Sequence, residues 1–89
     1  MNKPNPYFSP AHESAAFEAC KAWLSLVPKI KTPTRGTYSM KHRVEEWTQN
    51  AGGGLYIWED TFIRAALEMG FNVVNKRVSV GKCKLAESK

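Results

Sequence analysis

Between Pro28 and Arg43 the chain carries five cations, Lys29, Lys31, Arg35, Lys41 and Arg43, and not one acid. From Lys76 to Lys89 it carries five more, Lys76, Arg77, Lys82, Lys84 and Lys89, against the single acid Glu87. Cations left uncancelled over such stretches suit phosphate, because lysine and arginine neutralise a polyanion backbone and release its counterions. The two stretches make one phosphate-binding surface only if the fold brings them together. Otherwise they are two solvated segments. His42 stands between Lys41 and Arg43. It reads as a polar contact to a partner, as part of the basic set Lys29, Lys31, Arg35, Lys41, His42, Arg43, Lys76 and Arg77.

Other chemistry finds little support. His12 and His42 are the only histidines, and no local spacing supplies the several convergent ligands that a metal site needs. Glu45 and Glu46 are adjacent, as are Glu59 and Asp60, so neither pair aims two carboxylates at one point. The run Gly52-Gly53-Gly54 lacks the Lys-Ser/Thr that closes a phosphate-binding loop, and a helical pattern precedes it. A flexible connector explains it better. Cys20 and Cys83 are isolated and have no Cys-x-x-Cys spacing, so two reduced thiols are expected rather than a zinc site or a disulfide scaffold. No nucleophile, base and acid set is visible. The chain is therefore read as non-enzymatic, with no cofactor, no metal and no small-molecule substrate.

These residues must be positioned by helices. The 89 residues, 43% of them hydrophobic, make one domain with one small core. Residues 1–8 read as an extended arm, with Tyr7 and Phe8 available to pack back. Ser9-Pro10 is a helix start, a capping hydroxyl followed by proline at the first helical position. Ala16, Cys20, Trp23, Leu24 and Val27 then recur at helical spacing, and Pro28 stops the helix, which gives residues 10–27. Residues 28–36, PKIKTPTRG, read as a loop.

A second helix opens at Thr37 or Ser39, with Met40, Val44 and Trp47 on its apolar face. Lys41 with Glu45 and His42 with Glu46 are i, i+4 pairs, placed on its wet side. Asn50-Ala51-Gly52 ends it. Leu55, Tyr56 and Ile57 form a short apolar run. A third helix starts at Glu59-Asp60, acids that suit the positive end of the helix dipole. It buries a stripe of Phe62, Ile63, Ala66 and Leu67. It ends at Gly70, where a positive φ would let Phe71 fold back. Residues 72–80 are β-branched and fit a strand or a hairpin turning at Asn75-Lys76. The fold class expected is mainly α: a compact three-helix domain over residues 9–81, with a possible short C-terminal β-hairpin and a basic tail over 82–89.

The unit from Thr37 to Phe71 also resembles a pattern of short proteins from bacteriophages and integrated mobile elements. That pattern is Tyr-x-Met/Leu-Lys-His, then a gap, then Phe-Ile-x-Ala-Ala-Leu-x-x-Gly-Phe/Tyr. The matching residues are Tyr38, Met40, Lys41, His42, Phe62, Ile63, Ala65, Ala66, Leu67, Gly70 and Phe71. Where the pattern often has Asn-Gly before Phe-Ile, this chain has Asp60-Thr61. The resemblance implies a setting rather than a mechanism. In that setting small non-enzymatic proteins bind nucleic acid or block host machinery.

With a net charge of +5 and a pI of about 9.4, polyanions are the favoured partners. The expected function is binding of nucleic acid through stretches 28–43 and 76–89. The alternative is a protein that inhibits a host defence complex, anti-CRISPR-like, by meeting an acidic surface of that complex. No apolar run approaches the length of a membrane span, and no secretion signal is read at the start. A cytoplasmic protein with no membrane contact is expected.

Overall fold

The computed structural model describes residues 10–52 and 54–86. Helix α1 spans Pro10–Leu24, α2 spans Thr37–Asn50 and α3 spans Glu59–Glu68. Three two-residue strands, β1 (Arg35–Gly36), β2 (Val73–Val74) and β3 (Arg77–Val78), form an antiparallel sheet in the order β1-β3-β2. The fold is mainly α, three helices with a short hairpin, as expected. The Ser9 cap and the packing of Tyr7 and Phe8 fall outside the described residues.

The core lies between the three helices and one face of the sheet. Trp23 of α1 meets Phe62 of α3 edge to face, with ring centroids 6.1 Å apart. Cys20, Leu24, Val44, Ile57, Val78 and Val80 close around them, all buried. The Trp23 indole N–H finds no acceptor among the described residues. That omission costs about 1–3 kcal/mol, which the packing of so large a ring must outweigh. Burial pushes the Cys20 thiol up to about 12, and the nearby Glu45 carboxylate adds to the rise. Cys20 is thus an inert core residue.

Helix α1 stops at Leu24, three residues short of the expected end at 27. The Ser25 hydroxyl donates to the Ala22 carbonyl at 2.6 Å, and the Leu26 N–H turns back to Trp23 O at 2.9 Å. These bonds compete with the helical ladder, and Pro28 disfavours helix in the residue before it. Val27 is still buried. In α3 the inward stripe is Phe62, Ala65 and Ala66, whereas Leu67 is exposed. Trp47 on α2 is half-buried against the core rather than enclosed by it.

The segment 28–36 is not a plain loop. Gly81 N donates to Pro28 O at 2.8 Å, Ile30 N to Ser79 O at 2.9 Å and Thr34 N to Val78 O at 3.2 Å. The segment therefore runs antiparallel beside 77–81 and ends as strand β1. Pro28 takes part through its carbonyl alone, as proline does on an edge strand. The presumed tail also contributes. Lys84–Ala86 form a 3-10 turn, and Ala86 is buried.

Two turns follow from local sequence. Phe71 N donates to Ala66 O and Gly70 N to Leu67 O, at 2.9 and 3.1 Å. This is a full Schellman ending, with Gly70 at φ 87° and Phe71 buried. Asn75 and Lys76, at φ 51° and 61°, form the two-residue turn between β2 and β3. Asparagine accepts the left-handed region readily, whereas lysine is strained there.

Both positive-φ positions can be tested by equilibrium unfolding. Gly70→Val should lower stability by about 1 kcal/mol or more, because a β-branched residue is strained there. A Cβ at Gly70 would also stand 3.0 Å from the Lys29 ammonium. Lys76→Gly should raise stability by about 1 kcal/mol. A rise for Gly70→Val, or a fall for Lys76→Gly, would contradict this account.

Candidate functional site

Strand pairing joins the two basic stretches. In the β1–β3 register Arg35 lies opposite Val78 and Gly36 opposite Arg77. The Arg77 guanidinium donates to Thr34 O at 3.1 Å, and Thr37 N donates to Lys76 O at 2.9 Å. Residues 34–37 and 76–78 thus interlock at the first turn of α2. Arg35, Ser39, Arg43 and Ala86 line a shallow concavity over that turn. Its helix cap is Gly36, which supplies no side-chain bond, and the first turn holds no acid. A carboxylate reaches that turn from α3, because the Thr37 hydroxyl donates to Glu59 at 2.6 Å, so the positive end of the helix dipole is partly offset. Arg43 is held by Glu46 at 2.9 Å, one turn further along.

The other basic residues are distributed differently. Lys29 has a structural task. Its ammonium donates to Met69 O at 2.8 Å and sits 5.1 Å from the centre of the Phe71 ring. It closes the C-terminal end of α3, where free carbonyls and the dipole favour a cation. The Lys31 side chain is exposed, and its backbone carbonyl accepts from Asn72 Nδ2 at 2.9 Å. Lys41 is not on a wet face. It is only 4% exposed, so it cannot meet a polyanion directly.

Lys41 belongs to a second cluster. Its ammonium lies 3.4 Å from Glu45 Oε2, 5.0 Å from the centre of the Tyr38 ring and 4.8 Å from that of Tyr56. The same Glu45 oxygen accepts from the backbone N–H of Ile57 at 2.9 Å. Glu45 Oε1 takes His42 Nδ1, also at 2.9 Å. His42 therefore pairs with Glu45 at i+3 instead of Glu46 at i+4, and Glu46 is left to Arg43. One carboxylate thus holds a lysine, a histidine and a backbone amide. Sequence spacing signals the first two partners, because positions three and four before Glu45 are both basic. Ile57 cannot be foreseen, because it is reached across the glycine connector.

Beyond this cluster lies more aromatic surface. Tyr56 and Trp58 meet edge to face at 5.3 Å, and His12 meets Trp58 at 5.6 Å. His12 Nε2 also lies 2.9 Å from Tyr56 O, which ties α1 to the segment before α3. Among the described residues no group of three or more histidines, cysteines and acids converges on one point, and no helix is long and apolar enough to cross a membrane. No family model, curated protein or solved structure matches the chain.

The pairing of Glu45 with buried Lys41 predicts an asymmetry in thermal and denaturant unfolding. Glu45→Ala leaves an ammonium buried without its counter-charge and the Ile57 amide without its acceptor. It should cost about 3 kcal/mol or more. Lys41→Met keeps the volume and leaves the Glu45 carboxylate, which is 20% exposed, with His42 and the Ile57 amide as partners, so it should cost less than Glu45→Ala. Equal losses in the two variants would contradict this account.

Proposed function

We propose that the protein is a non-enzymatic nucleic-acid-binding protein that uses basic stretches 28–43 and 76–89, with Arg35, Arg43, Lys76 and Arg77 as its principal phosphate contacts. The observation that carries this reading is the β1–β3 pairing. It gathers cations from chain positions about forty residues apart around one helix start. Arginine matches a phosphate with two parallel bonds. Arg77 is already oriented by its bond to Thr34 O.

Lys76 adds a second line of support. It occupies a left-handed turn position where glycine would fit without strain. A cation retained against a conformational cost is intelligible if its charge is used. In this reading Lys29 and Lys41 serve the fold, His42 flanks the contact surface, and Lys31 contributes at its margin. The bacteriophage or mobile-element setting implied by the 37–71 pattern suits a small binding protein of this kind.

Fluorescence anisotropy with labelled oligonucleotides tests the proposal. The wild type should bind at about 50 mM salt and weaken steeply towards 200 mM. The double variant Arg35→Glu, Lys76→Glu should keep its circular dichroism spectrum, bind at least tenfold more weakly and show a shallower salt slope, by about 0.7–0.9 per lost contact. No binding by the wild type at low salt would defeat the nucleic-acid reading and leave an acidic surface of a host protein complex as the partner.

A further inference from the structure

We infer that Tyr38 and Tyr56 form a stacking platform for unpaired bases, so that the nucleic acid bound beside the arginine cluster is single-stranded. The inference rests on the phosphate-binding reading above and assigns a site to the aromatic surface that this reading leaves unused.

Tyr38 is 59% exposed and Tyr56 40% exposed. Neither belongs to the core. Both are nevertheless fixed in place. The Lys41 ammonium lies about 5 Å from each ring centre, and Glu45 holds that ammonium while also binding the Ile57 amide beside Tyr56. Each ring has the Lys41 ammonium on its inner side and keeps part of its surface in water. His42 meets the Tyr38 ring at 4.6 Å and 85°, and Trp58 meets the Tyr56 ring at 5.3 Å and 85°. Rings held by such neighbours lose little freedom when a base stacks on them.

The lysine balances the Glu45 charge, and its enclosure by two tyrosines and one glutamate carries a desolvation cost. What the lysine supplies is a fixed positive charge directly beneath two exposed rings. Stacking of a nucleobase on an aromatic ring, reinforced by a nearby cation, is the means by which proteins hold single strands. A duplex keeps its base faces covered and offers nothing to such a platform.

Position connects the platform to the phosphate contacts. On α2, Tyr38 precedes Ser39 and His42 precedes Arg43, and Ser39 and Arg43 line the concavity with Arg35. Rings and cations therefore occupy neighbouring strips of one helix face. The carboxylates on that face are already committed, Glu45 to Lys41 and His42, and Glu46 to Arg43. A strand whose phosphates lie on Arg35 and Arg43 would have its bases within reach of Tyr38. Stacking tolerates any base, so sequence preference should be weak.

The test uses the full chain and four labelled probes of equal phosphate count: oligo(dT), oligo(U), and blunt two-strand duplexes of DNA and of RNA. At low salt the wild type should favour one or both single strands over the matching duplex. Tyr38→Ala should weaken single-strand binding by about 5- to 100-fold and leave duplex binding, salt slope and the circular dichroism spectrum unchanged. Tyr38→Phe should bind single strands as the wild type does. Equal affinity for single strand and duplex, with no effect of Tyr38→Ala, would overturn the platform and leave the phosphate-binding reading in place. A wild type that binds none of the probes would overturn both.

Discussion

The Glu45 carboxylate is the interaction on which the arrangement of α2 and α3 most depends. Residues 51–54 connect the helices with three glycines and an alanine, which impose almost no direction on the chain. Direction is recovered when the Gly54 and Leu55 N–H groups bond to Thr48, both at 3.1 Å, and the Ile57 N–H reaches Glu45 at 2.9 Å. That bond brings Ile57 into the core and sets the start of α3 two residues later. A second strut supports the same junction, because the Thr37 hydroxyl donates to Glu59 at 2.6 Å and links the first turns of the two helices. The Glu45 carboxylate must be satisfied on both oxygens, and it is.

The second constraint is the crossing of 28–36 with 77–81. Strands of two residues are marginal alone, and an isolated hairpin is barely stable in water. Here the hairpin is held between an edge strand and the core, with Val78 and Val80 buried beneath it. Ser79, also buried, donates its backbone N–H to Asn72 O, while its hydroxyl accepts from Asn72 N. Contacts between positions this far apart in the chain form late and slowly compared with helices. The charged surface is thus assembled by the least local part of the fold.

Stability and charge pull against each other at two places. Lys76 stands where glycine would fit better, and Lys41 is buried where an apolar chain would cost less to desolvate. By contrast Lys29 is well used by the fold itself, between the Met69 carbonyl and the Phe71 ring. Cations of one stretch therefore divide into those the fold consumes and those it displays. Composition alone treats them alike.

Much of the architecture was legible in the sequence because it is local. Gly70 with Phe71, the acids that begin α3, the Asn75-Lys76 turn and the apolar faces of α1 and α2 are all read from residues within one or two turns of each other. Their outcome is decided by dihedral preference and side-chain spacing, which neighbours control. The strand at 35–36, the burial of Lys41, the capping by Lys29 and the bond from Ile57 to Glu45 were not legible. Each joins positions that the chain separates by 12 or more residues or, for Lys41, depends on Tyr56 arriving from another segment. By itself the sequence determined three helices, most of their apolar positions and a basic balance. Only the tertiary structure decided which cations face water, because exposure belongs to a packed arrangement of distant segments and not to any stretch of chain.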